Sequence, residues 1–167
     1  MQLKEFNKLS ETDVLNFLRN CVHIKSWGTA IADQRPFDSI NELYEFAQQQ
    51  TKFWTWDEIK TALDTHPRIG EKNAKKELSA QEAEFSDKEQ SALSTDQEII
   101  DEIYKGNVSY EKRFGYIFLI KASGLNSGDI LTALRYRLVN DPDTEKRIVH
   151  QQLLEIALLR LKQEVQE

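Results

Sequence analysis

The sequence predicts an all-α protein, a single compact bundle of about eight helices forming one domain over residues 1–167. Three observations lead there. Gly and Pro are scarce, at six and three residues in the whole chain, so little punctuates the periodic runs. Apolar and polar residues rarely alternate at the strand period. Helix-start patterns, by contrast, recur from one end to the other.

Taken in order, "LSETDV" offers Ser10 as N-cap with Asp13 three residues on, and Leu9 facing Val14 as a hydrophobic staple. That predicts a helix over 11–22. A second is expected over 27–33, ahead of Arg35-Pro36-Phe37, which reads as a capped turn packed by Phe37. Ser39 with Glu42 predicts a helix over 39–49. Thr55 with Glu58, and Trp54 opposite Ile59, predict one over 56–63. "FSDKEQ" offers Ser86 with Glu89 as the start of a helix over 87–105. The next, 107–121, contains "YIFLI", which is read as buried helix because no partner strand is visible elsewhere. "NSGDIL" supplies small polar caps for 127–139, and Pro142 at N1 after Asp141 opens the last helix, 142–164.

Composition excludes several classes of function. A formal net charge of −6 lacks the basic balance of a nucleic-acid binder. No apolar run approaches the ~20 residues that span a bilayer. The opening "MQLKEFNKLSETDV" has no apolar signal core, and "EVQE" is not a peroxisomal address. Cys21 is the one cysteine, so no internal disulfide forms, which fits a reducing cytoplasm. His23 and His150 make no metal-ligand spacing with Cys21, and H-E-x-x-H and C-x-x-C are absent. No metal or organic cofactor is therefore expected. Nucleophile-elbow, Walker A and dinucleotide fingerprints are missing too.

What remains is three oddly placed groups. His66 stands directly before Pro67, which ends a helix and biases the histidine toward extended backbone. A lone histidine in a turn is usually solvated or structural, but such a place also suits a group held over a cleft. Ser86, Glu89 and Gln90 form a capping-box pattern, yet the staple position holds a glutamine. A helix start of that kind offers backbone N–H donors and polar side chains to a small polar or anionic ligand. Arg160 shares a stripe with Val149, Leu153 and Ile156 at spacings of four, three and four. A guanidinium there needs a carboxylate, carbonyls or a bound anion unless it snorkels to water. Arg137 lies on the face of Ile130 and Leu134, where a structural ion pair or a carbonyl contact is expected.

Together, "THPRIG", "FSDKEQSAL", "YEKRFGYIFLIKASG" and "DILTALRYRLVNDPDTEKRIVHQQLLEIALLRL" resemble the 2-oxo-4-hydroxy-4-carboxy-5-ureidoimidazoline (OHCU) decarboxylases. The likeness runs from "FNKLSETDVLNFLRNC" through "RPF" to the last helix. It implies an all-helical, cofactor-free and metal-free enzyme, a homodimer, that turns OHCU into (S)-allantoin at the end of urate breakdown. It implies His66 as the essential proton donor, with Pro67 shaping the pocket beside it. Ser86, Glu89 and Gln90 match the ligand-binding run, with Glu89 orienting His66 or bonding the substrate. Ile117, Phe118, Leu119, Ile120 and Lys121 match the stretch whose backbone lines the pocket. Arg160 matches a substrate-contacting arginine of the terminal helix, with Arg137 as the alternative. Two other readings stay open. One is a non-enzymatic helical module that binds a partner protein; the other is a hydrolase of a related ureide or purine ring.

Overall fold

The computed structural model describes residues 1–70, 78–93 and 96–167. Local capping chemistry sets most of the helix starts. Ser10 accepts from the Asp13 amide at 3.1 Å and opens α2 (Glu11–Cys21), which follows a short α1 (Leu3–Phe6) that the sequence reading missed. α3 spans Lys25–Gln34. Ser39 caps the Glu42 amide at 3.2 Å and starts α4 (Ile40–Gln50), followed by a 3-10 helix, Thr51–Phe53. Thr55 and Glu58 bond each other's amides at 3.2 and 3.1 Å before α5 (Trp56–Leu63). These reciprocal bonds satisfy amides that a helix end otherwise leaves unpaired.

The middle of the chain departs from expectation. Ser86 does not begin a helix. α6 runs Ala80–Glu89, opened by a capping box in which Ser79 accepts from the Glu82 amide at 3.1 Å. "SAQE" and "SDKE" present the same S-x-x-E frame seven residues apart, and the first one wins. Phe85 and Glu82 then fall on its buried side, and the Gln90 amide donates to the Ser86 carbonyl at 3.0 Å as an ordinary helical bond. The expected 87–105 and 107–121 helices are recut accordingly. α7 starts after Asp96, which caps the Glu98 amide at 2.9 Å, and runs unbroken over Gln97–Phe114. It ends at Gly115, whose φ of 83° is left-handed backbone that a continuing helix excludes. "YIFLI" is therefore neither helix nor strand: residues 117–122 have no regular secondary structure. α8 (Ser127–Arg137) carries an Asn126–Asp129 capping box, and α9 spans Pro142–Glu164 with Pro142 at its first position. Among the described residues the architecture is thus nine α-helices without a strand, all-α as predicted. None of these helices is long and apolar enough to cross a membrane.

Two compact units form, one from Met1–Ala62 with Leu154–Glu167 and one from Leu63–Leu153. The first buries Phe6, Leu18, Trp27, Ile31, Leu43 and Leu161. Trp27 Nε1 donates to the Ala47 carbonyl at 2.8 Å, so its one polar atom is satisfied in the interior. The Arg35-Pro36-Phe37 turn packs as expected. Phe37 is buried against Phe46, and Asn7 brackets its backbone with bonds of 2.9 and 3.0 Å. In the second unit, α7 and α8 meet at Gly106, where an added Cβ would lie 2.3 Å from Leu134 Cδ2. Any larger residue there would force the buried Leu134 side chain to move.

Candidate active site

His66 sits in the turn after α5 and is 5 % exposed. Its amide donates to the Leu63 carbonyl at 3.1 Å, tying the turn to the helix it leaves. Pro67 follows, half-buried. Three further side chains hold the next residues. Glu111 accepts from Arg68 Nε at 2.8 Å. Asn107 Nδ2 donates to the Ile69 carbonyl at 3.1 Å. Gln90 Oε1 accepts the Gly70 amide at 3.0 Å. Gly70 itself is left-handed, at φ 83°.

That last bond joins two motifs that the sequence separates by twenty residues, the His-Pro turn and the S-x-x-E-Q run. Ser86 is buried in the last turn of α6, Glu89 is its last residue, half-buried, and Gln90 is its C-cap. The helix N-terminus expected there is therefore a C-terminus, which offers carbonyls rather than amides and attracts cations rather than anions. A carboxylate on Glu89 is placed against that dipole, so helix capping does not account for it.

The 117–122 segment is held by side chains of the same unit. Arg137 Nη1 donates to the Leu119 carbonyl at 2.7 Å, and Gln152 Oε1 accepts the Lys121 amide at 2.8 Å. Ile117, Phe118 and Leu119 are buried; Ile120 and Lys121 are half-buried. Arg137 meets the structural fate expected of it. Its Nε donates to Glu145 Oε1 at 2.8 Å, Nη2 lies 2.7 Å from the same oxygen, and the guanidinium stands 4.5 Å from the Phe118 ring centroid. The Tyr110 hydroxyl donates to that oxygen at 2.5 Å, and Asn140 Nδ2 donates to Oε2 at 3.1 Å. Burial, reinforced by the bond to Glu145, pushes the Tyr110 phenol far above its ordinary range, against the pull of Arg137. Burial raises Tyr116 as well.

Arg160 belongs to the other unit. It is 4 % exposed, so it does not snorkel to water, and its stripe partners Val149, Leu153 and Ile156 are buried too. Its Nη1 donates to the Cys21 carbonyl at 3.4 Å. Burial is also the first reason that the Cys21 thiol is pushed up to about 12. Among the described residues no group of three or more His, Cys, Asp and Glu is placed to hold a metal ion.

Sequence reasoning missed Asn107 and Glu145. The signal was present in both cases: Asn107 shares a stripe with buried Ile103 and Tyr110, and Glu145 shares one with buried Val149. Both are polar residues on an apolar helical stripe, as Arg160 is.

The described residues thus make an all-α protein with a buried histidine in the turn that ends one of its helices. The OHCU decarboxylase family model matches residues 7–162, and the chain belongs to that family. It is 26% identical over 162 residues to the 2-oxo-4-hydroxy-4-carboxy-5-ureidoimidazoline decarboxylase of Haloferax volcanii, covering 96% of this chain and 94% of that one. It is 24% identical over 167 residues to a uric acid degradation bifunctional protein of Bacillus sp. (strain TB-90), covering 98% of this chain and 32% of that protein. The chain thus spans about a third of the length of its bifunctional relatives. The fold matches a crystal structure of OHCU decarboxylase in the presence of (S)-allantoin, with a TM-score of 0.71 and 24% identity, over 86% of this chain and 92% of that one.

Proposed function

We propose that this chain decarboxylates OHCU to (S)-allantoin in urate breakdown, without a cofactor, with His66 delivering the proton. The observation that carries the reading is a buried His66, in a side-chain-held turn, within a chain matched along residues 7–162 by the decarboxylase family. That span runs through both units, which supports 1–167 as one functional domain. Homodimeric assembly, as the family resemblance implies, is part of the proposal. So is a cytoplasmic location, supported by Cys21 being a free thiol.

The chemistry is self-sufficient. The bond between ring carbon and carboxylate breaks, CO₂ leaves, and the electron pair delocalises over the ring as an enolate-like anion. A proton then goes to one face of the ureido-bearing carbon, and His66 recovers it from water. Glu89 orients His66 or bonds the ureido group. Ser86 and Gln90 hold polar edges, Pro67 shapes the wall, and the main chain of residues 117–121 lines it; for Arg160 a substrate contact is what the family resemblance implies. Each donor preset where charge develops contributes about 2.7–4 kcal/mol to the barrier reduction.

His66→Asn tests this directly. On freshly generated OHCU, wild type should release CO₂ and form (S)-allantoin, while the variant should add nothing to the spontaneous rate and keep a native circular dichroism spectrum. Enantioselective turnover by His66→Asn would remove His66 from the mechanism. Ring opening without CO₂ would make the protein a hydrolase instead.

A further inference from the structure

We propose that Asn107 is a positioning residue for the reaction: with Gln90 it clamps the Ile69–Gly70 peptide and thereby sets the direction of the His66 imidazole. The inference rests on the decarboxylase reading above.

The Ile69 carbonyl and the Gly70 amide belong to one peptide plane. Asn107 Nδ2 holds its oxygen at 3.1 Å and Gln90 Oε1 holds its nitrogen at 3.0 Å. The first grip comes from the middle of α7 and the second from the C-cap of α6. A planar, rigid unit held at both polar ends cannot rotate about its chain direction without breaking one bond or the other. Upstream, the His66 amide is anchored on the Leu63 carbonyl. His66 therefore lies between two fixed points only three residues short of the clamped peptide, and Pro67 locks one of the intervening φ angles. Arg68, paired with Glu111, braces the same run.

Asn107 is an unexpected residue for its place. It is 4 % exposed, and Oδ1 has no hydrogen-bond partner among the described residues, so half of the amide's capacity is buried unused. An apolar side chain between Ile103 and Tyr110 would avoid that desolvation. An asparagine here therefore sets one unused acceptor against one satisfied main-chain carbonyl. The grip on Ile69 is what it adds.

The test is Asn107→Leu, which keeps the branched shape of the side chain and removes the donor. Its readouts are kcat and KM on OHCU, the enantiomeric excess of the allantoin, the melting temperature, and the imidazole NMR resonances of His66, assigned against His23 and His150. We expect kcat to fall about 10- to 100-fold, as misplacement of a reacting group by roughly 1 Å does. KM should stay within about threefold, and enantiomeric excess should drop; the melting temperature should fall by a few degrees, because the buried Ile69 carbonyl loses its donor, and the variant should stay folded at the assay temperature. Only the His66 resonances should move. Asn107→Ser, which retains a shorter donor, should recover part of kcat. Wild-type kcat in Asn107→Leu, or unmoved His66 resonances, would overturn the positioning role. An inactive wild type would instead sink the decarboxylase reading, and the His66 resonances would then decide the clamp by themselves.

Discussion

Arg137→Met strands a buried carboxylate, and the surrounding packing sets the cost. Glu145 is fully buried and Arg137 is 5 % exposed, so neither charge has water to fall back on. Removing the guanidinium leaves the carboxylate with one hydroxyl, from Tyr110, and one amide, from Asn140. Breaking a buried pair in this one-sided way costs about 3–5 kcal/mol. With about 2.1 cal/mol/K of unfolding entropy per residue, a 167-residue chain then melts about 9–14 °C lower. Arg137→Met/Glu145→Gln removes the stranded charge yet keeps an acceptor for Tyr110. It should regain about 2 kcal/mol or more of the loss. Thermal and urea unfolding followed at 222 nm measure both variants. A loss under about 1 kcal/mol in the single variant, or a double variant no better than the single one, would mean that Glu145 does not depend on Arg137 for its charge compensation. Neither variant restores the donor on the Leu119 carbonyl, so turnover should remain depressed in both.

Cys21 and Ser79 carry two more expected outcomes. Burial lifts the folded Cys21 thiol from 9.0 to about 12, so the folded chain keeps a proton that the unfolded chain sheds. The thiol's contribution to stability is whole below pH 9 and declines as pH rises from there toward 12. Cys21 should resist a thiol reagent at pH 9.5 until the protein is denatured, and prompt labelling of the native state would contradict this. Ser79→Ala should cost about 0.5–2 kcal/mol in urea unfolding and speed hydrogen exchange at the Glu82 amide, whereas Ser86→Ala should leave that amide protected. Equal exchange in the two variants would place the start of α6 elsewhere.

Where a structural decision is local, the sequence discloses it. Ser10, Ser39, Thr55, Asn126 and Pro142 mark true helix starts, because the groups that bond lie within four residues of each other. Ser86 misleads because its motif is repeated at Ser79, and the choice between them depends on burial contacts that no local pattern contains. Residues 116–120 mislead for a related reason. Their apolar run suits a buried helix, but Gly115 turns the backbone, and Arg137 and Gln152, some twenty and thirty residues on, take up main-chain groups that a helix would have used. Of the candidate site, the chemical types were legible and their support was not. His66, Glu89, Gln90 and Arg160 stand out as residues; that Gln90 reaches the peptide after Ile69 is a fact of tertiary folding.

The irregular stretch before α8 has a further consequence. Every residue type carries the same carbonyl and the same amide, proline's missing N–H aside. Recognition through residues 117–121 would therefore be written in a script that mutation barely edits. Sequence drift could repaint that surface without changing what this stretch offers a ligand, and a change in its aim would have to come from Arg137 and Gln152, which hold it from outside.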